Sequence, residues 1–117
     1  MRQERRAFPR VAERLAVAMT DAGTALQTET KNVSASGASC TLDRFIAPMT
    51  KLELQFELPG SPRRTKIRCR GVVVRVEPVV ANAEHGLYNV AIFFTEFAER
   101  DRTALARFVR RRLAQTA

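Results

Sequence analysis

Lys51 to Leu58 reads KLELQFEL, an unbroken alternation of polar and apolar side chains. A period of two is the period of a β-strand. Leu52, Leu54, Phe56 and Leu58 therefore fall on one face, and Glu53, Gln55 and Glu57 on the other. A strand with one apolar face must join a sheet that buries that face, so the chain on either side has to supply partners.

It supplies them at short intervals. Glu13 to Thr20 alternates Leu15, Val17 and Met19 with small residues. Asp21-Ala22-Gly23 follows as a hairpin signal. Thr24 to Val33 is a polar, threonine-rich strand expected to be half exposed. Ser34-Ala35-Ser36-Gly37 breaks the run with turn formers, and Ala38 to Leu42 resumes it. Pro48 keeps the segment Asp43 to Thr50 a loop, and Pro59-Gly60-Ser61-Pro62 is a turn. Thr65 to Glu77 is a long strand. Ile67 and Cys69 hold one parity and Val72, Val74 and Val76 the other, so a bulge is expected at Gly71. After a loop from Val79 to Gly86, Leu87 to Thr95 is a strand rich in aromatic and β-branched residues. Six strands with hairpin-scale connections predict an antiparallel sheet curled into a β-barrel.

The period then changes. Leu105, Phe108, Val109 and Leu113 share one helical face. Thr95 is the expected N-cap, with Glu96 and Glu99 in the first turn. Arg110, Arg111 and Arg112 sit toward the end, where the helix dipole favours cations. The reading is a single domain over residues 1–117: an arm at 1–12, a barrel at 13–95 and a C-terminal helix at 96–115. The fold class is all-β with one terminal helix.

The formal net charge is +8, and Lys31, Lys51 and Lys66 are the only lysines. A balance so rich in arginine points to a partner bearing phosphates, recognised in a planar or bidentate way. No stretch reaches the apolar length of a membrane span, and the N-terminus lacks the apolar run of a signal peptide. A cytoplasmic protein without membrane insertion is expected. Cys40 and Cys69 read as buried reduced thiols. Two cysteines and the lone His85 do not make a zinc site, and no metal or cofactor is expected. Enzymatic patterns are missing. His85 lies in a loop without an orienting carboxylate, Ser34 and Ser36 lack a nucleophile-elbow context, and Gly37 is not part of a glycine-rich phosphate loop. Glu53 and Glu57 are surface carboxylates on the solvent face of their strand. The chain is therefore read as a non-enzyme.

Two stretches remain. Arg2, Arg5, Arg6, Arg10 and Arg14 crowd the first fourteen residues. Pro9 holds Phe8 out of the helical region, so the segment runs extended or turned. Arg6 and Arg10, about 13 Å apart in an extended chain, could form a fork for an elongated anion. The second stretch is Asn32-Val33-Ser34-Ala35-Ser36-Gly37. Asn32 offers a donor and an acceptor, Ser34 a hydroxyl, and Gly37 backbone freedom or close approach. On its own it also reads as a plain turn.

Taken in order, Arg6-x-x-x-Arg10 and Asn32-x-Ser34-x-x-Gly37 resemble the two-part signature of the PilZ domain family, and the resemblance spans essentially the whole chain. It implies an antiparallel β-barrel that binds the bacterial second messenger cyclic di-GMP. Arg6 and Arg10 would take phosphates and guanine edges, and Asn32, Ser34 and Gly37 would hold the other guanine. Guanidinium forks match phosphate oxygens and the O6 and N7 of guanine, and their planes can stack on bases. Arg5, just before the pair, is the position the family associates with a stacked, intercalated ligand dimer. Near Ala91 many relatives carry glycine, and alanine is nearly as small. The resemblance implies a stand-alone receptor whose mobile arm closes on the ligand and which signals through a downstream protein. A basic barrel binding nucleic acid non-specifically is the alternative. It is disfavoured because Tyr88 is the only Tyr and there is no Trp to stack bases. A degenerate PilZ-like adaptor that binds only protein is the other.

Overall fold

The alternating segments pair as their apolar faces demand. In the computed structural model, which describes residues 9–60, 64–79 and 86–116, six strands precede one helix. They are β1 (Ala16–Asp21), β2 (Thr24–Val33), β3 (Gly37–Leu42), β4 (Lys51–Leu58), β5 (Thr65–Pro78) and β6 (Tyr88–Phe97), followed by α1 (Glu99–Thr116). All neighbours are antiparallel, in the ring order β1-β2-β3-β6-β5-β4, and β4 pairs back onto β1 to close a barrel. Closure leaves no open sheet edge.

Leu52, Leu54, Phe56 and Leu58 of β4 point inward, as their alternation requires, and meet Met19, Val33, Cys40, Ile67, Val73, Val90 and Ile92. Phe56 and Phe94 stack at 6.0 Å, and Phe97 meets Phe94 edge-on at 5.3 Å. The β1–β2 hairpin turns at Ala22 and Gly23, both at positive φ (50° and 88°), in the sense that matches strand twist.

Three expectations are corrected. The parity switch in β5 falls at Val74, not Gly71. The inward sequence runs Ile67, Cys69, Gly71, Val73, and the register against β6 then skips one residue between Val73 and Arg75. Val72 and Val74 thus face outward, and Val76 returns to the core side. Near Gly71 the register also shifts, but there β6 carries the extra residue, Thr95. Thr95 is not the helix N-cap. Strand β6 continues to Phe97, paired with Cys69, and Ala98 caps α1 by accepting from the N–H groups of Asp101 and Arg102 (3.0 Å each). Glu96 accordingly belongs to the strand and pairs with Arg70 at 3.2 Å. Finally, Arg110 to Arg112 stop short of the last helical turn, where the dipole would favour them. The helix continues to Thr116, and no basic residue lies in its last turn.

Leu105, Phe108 and Val109 bury the predicted face of α1. The buried Asp101 carboxylate accepts from the Arg68 backbone N–H (3.2 Å) and pins the helix start to β5. Among the described residues no helix is long and apolar enough to cross a membrane.

Candidate functional site

Turn chemistry sets the first half of the site. Beyond Val33 the chain reverses over Ser34 to Gly37, closed by Ser34 N–H to the Gly37 carbonyl at 2.8 Å. The Ser34 hydroxyl accepts from the backbone N–H groups of Ser36 and Gly37, both at 3.1 Å, and lies 3.2 Å from Ser36 Oγ. It is 2 % exposed. Ser34 is thus committed to shaping the turn. The Ser36 carbonyl also accepts from Phe94 N–H (2.8 Å), which fixes the turn against β6. Gly37 begins β3 so near β6 that a Cβ there would run into the Ile92 carbonyl oxygen, so only glycine fits.

Asn32 does not share the environment of Ser34. It is half-buried, and its Oδ1 is shielded from solvent without a hydrogen-bond donor among the described residues. A shielded acceptor without a donor is uncommon in a folded protein. Register extends the position into a row. Asn32 pairs with Ser39, Ser39 with Ala91, and Ala91 with Arg75. The flanking pairs Val33 with Ala38 and Val73 with Ile92 face the core, so the row faces outward. Across four strands it spans about 14 Å. Ala91 gives it a low floor, Asn32 and Ser39 a polar rim, and Arg75 an exposed guanidinium. Beside it, Asn89 Oδ1 accepts from Lys31 Nζ (3.3 Å) and Thr41 Oγ1 (3.2 Å). Phe93, 50 % exposed, stands in the next outward row opposite Gly37.

The N-terminal strap is brought to this row by backbone pairing. Val11 and Val33 exchange both N–H···O bonds at 2.9 Å. Thr30, buried at the foot of the same strap, accepts from Leu15 N–H at 2.9 Å through its hydroxyl and donates to the Glu13 carbonyl. Glu13 Oε1 lies 3.1 Å from Arg112 Nε in an ion pair without hydrogen-bond alignment, and Arg112 also sits over the Phe108 ring at 5.0 Å. The arm expected over 1–12 is therefore tied down from Val11. Arg10, exposed, is one residue from Val11, whose partner Val33 is flanked by Asn32 and Ser34. The structure gathers Arg10, Asn32, Ser34 and Gly37 at one end of β2. Arg5 and Arg6 lie outside the described residues, as does His85.

Ser39 and Arg75 are neighbours of the site that local sequence pattern does not reveal. They become visible only through cross-strand register. The cysteines contribute no nucleophile. Burial pushes the Cys40 thiol up to about 12, and burial followed by the Asp101 carboxylate does the same to Cys69. Among the described residues no three His, Cys, Asp or Glu side chains gather as a metal site. Two larger open depressions, of about 690 and 680 Å³, lie over β1, β4 and β5 around Arg70 and Glu96. Their central charges, Arg70 and Glu96, already pair with each other at 3.2 Å.

A flat, small-residue floor rimmed by an amide, a hydroxyl and two guanidinium groups suits a planar hydrogen-bonding ring with an attached anion. Comparison with known proteins agrees on the fold. The PilZ domain family model matches residues 4–111. Bacillus subtilis MotI/DgrA, an inhibitor of motility, superposes with a TM-score of 0.86 at 23% identity, over 98% of this chain and 54% of that one. The PilZ domain of Escherichia coli YcgR, solved with c-di-GMP, gives 0.71 at 10% identity, over 97% and 95%. The K. pneumoniae MrkH–c-di-GMP complex gives 0.69 at 15% identity, over 97% and 55%. This chain thus spans about half the length of the MotI and MrkH chains. Among curated proteins no sequence matches significantly. With the two-part motif on a closed barrel and the family model covering nearly its full length, the chain belongs to the PilZ domain family.

Proposed function

We propose that this protein is a non-enzymatic receptor for cyclic di-GMP that acts in the cytoplasm through a protein partner. One observation carries the reading: the Val11–Val33 bridge sets Arg10 beside the outward row Asn32–Ser39–Ala91–Arg75, whose first member has an Oδ1 without a donor among the described residues. A guanine N–H is a suitable donor for that oxygen, and the ring would rest on Ala91. Ser39 and Arg75 would address its remaining edge, while Ser34 and Gly37 keep the turn in shape. Arg6 and Arg10 would grip the phosphates. Arg5 would serve a second, intercalated ligand molecule. Closing of the residues before Val11 over the row would alter the surface a partner meets. The ligand named for the YcgR and MrkH structures is in keeping with this chemistry.

Calorimetry tests the reading. Cyclic di-GMP should bind with low-micromolar or better affinity, roughly −8 kcal/mol. Arg10→Ala and Asn32→Ala should each weaken binding, Arg10→Ala by about 1.5–3 kcal/mol for its lost charge-assisted contact. Arg75→Ala should weaken it too, whereas Arg68→Ala, on a strand row away from the site, should not. No heat at protein concentrations far above the micromolar range would overturn the receptor reading. Unchanged affinity in both Arg10→Ala and Asn32→Ala would overturn the placement of the site.

A further inference from the structure

We propose that the outward face of α1 is a docking surface for an acidic amphipathic helix of a partner protein. At 100° per residue Arg100, Arg107 and Arg111 fall within about 40° of one another, and Arg110 lies beside them. The stripe runs about 17 Å along the helix. It stands opposite the buried Leu105, Phe108 and Val109. The other two arginines of α1 are occupied elsewhere: Arg102 lies over Phe97 at 5.2 Å, and Arg112 is held by Glu13 and Phe108. Among the described residues Arg107, Arg110 and Arg111 make no ion pair or hydrogen bond, and Arg100 Nε has only a 4.0 Å approach to Asp101 Oδ1.

Helix electrostatics does not account for this stripe. The last turn of α1 carries no basic residue, so the C-terminal dipole does not reward Arg110 or Arg111. Arg107 stands three and four residues from Arg110 and Arg111, and like charges at those spacings repel. The carboxylates of α1, Glu99 and Asp101, are confined to the first turn, and Asp101 is buried against β5. A face of unrelieved guanidinium groups is complementary to a face of carboxylates. Thr103 and Ala114 lie on the same face as Arg107, and their small side chains let an opposing helix come to packing distance, about 8–10 Å. A nucleic acid fits less well. The stripe is only a ridge on a helix whose other half is buried, and it carries no aromatic side chain to stack a base.

The proposal deepens the receptor reading by giving the partner a chemistry, but its binding test needs no nucleotide. The probe is a fluorescent helical peptide of about 18 residues with Glu at i, i+4, i+7 and i+11 on an Ala–Gln background. Its controls are the same composition in scrambled order, a duplex DNA of about 20 base pairs, and phosphatidylglycerol-containing vesicles. The patterned peptide should bind by anisotropy roughly tenfold tighter than the scrambled one. R107E/R111E should erase that preference without changing the melting temperature or cyclic di-GMP affinity. R100E/R110E should do the same, so misfolding of one variant leaves the other to decide. Equal binding of the two peptides would overturn the proposal. So would a duplex or vesicle that binds more tightly than the peptide and is lost in R107E/R111E, since the face would then belong to another class of partner. Peptide preference in a protein that shows no cyclic di-GMP binding would support the docking surface and sink the receptor reading alone.

Discussion

Gly37 shows how one missing side chain holds two functions together. It lets β3 approach β6 closely enough to form the outward row, and it closes the turn that Ser34 shapes. Gly37→Ala should cost about 1–3 kcal/mol through overpacking against the Ile92 carbonyl, read as a lower urea midpoint. A midpoint equal to wild type would mean the strands have slack that the structure does not show. The cysteines make an equally local claim. Both thiols are raised from the ordinary 9.0 to about 12, chiefly by burial. The folded state therefore holds these protons more tightly than the unfolded state. Their stabilising contribution is complete below pH 9 and is lost as pH climbs from 9 toward 12. Melting temperature should fall across that alkaline window, by less in a Cys40→Ala, Cys69→Ala double variant. Iodoacetamide at neutral pH should label the native protein far more slowly than the denatured chain. Rapid native labelling, or an identical alkaline decline in the double variant, would contradict this assignment.

At the level of elements, the strap from Val11 to Leu15 connects the two halves of the site, and Thr30 anchors it. Thr30→Val keeps the shape but leaves the Leu15 N–H without its hydroxyl partner, which should destabilise by about 1–3 kcal/mol in denaturant unfolding. It should also weaken cyclic di-GMP binding, because Arg10 is positioned by the same strap. Unchanged stability and affinity would show that the Val11–Val33 bridge suffices alone. Glu13–Arg112 is largely shielded, with the side chains 23 % and 32 % exposed, so Glu13→Gln, which leaves the Arg112 guanidinium without its carboxylate, should cost about 1–3 kcal/mol. These elements also show what the sequence could and could not disclose. Alternation in KLELQFEL and the period change at Leu105 are local signals: the strand has the expected bounds, and the helix buries the expected face. The bulge in β5 was misplaced because Val72-Val73-Val74 offers three apolar side chains in succession, and parity carries no information across such a run. The helix start was misplaced because Cys69 and Phe97 pair across strands, and that long-range contact keeps β6 extended past Thr95. Ser39 and Arg75 stayed hidden for the same reason. Their neighbourhood with Asn32 is a matter of register, which depends on two bulges that no short motif encodes.

Across the whole molecule, barrel closure places one outward row, Asn32–Ser39–Ala91–Arg75, beside Val11, the root of the N-terminal strap. The Glu13–Arg112 ion pair joins the strap beside that row to α1. The central claim is that the ligand binds this row and no other surface. Amide chemical shifts recorded as cyclic di-GMP is added to labelled protein test it most directly. Shifts should concentrate at Arg10, Val11, Asn32 through Gly37, Ser39, Arg75 and Ala91, with Ala18, Gln55 and Arg70 little changed. Shifts centred instead on the depression around Arg70 and Glu96, or a spectrum that does not respond at all, would contradict the account.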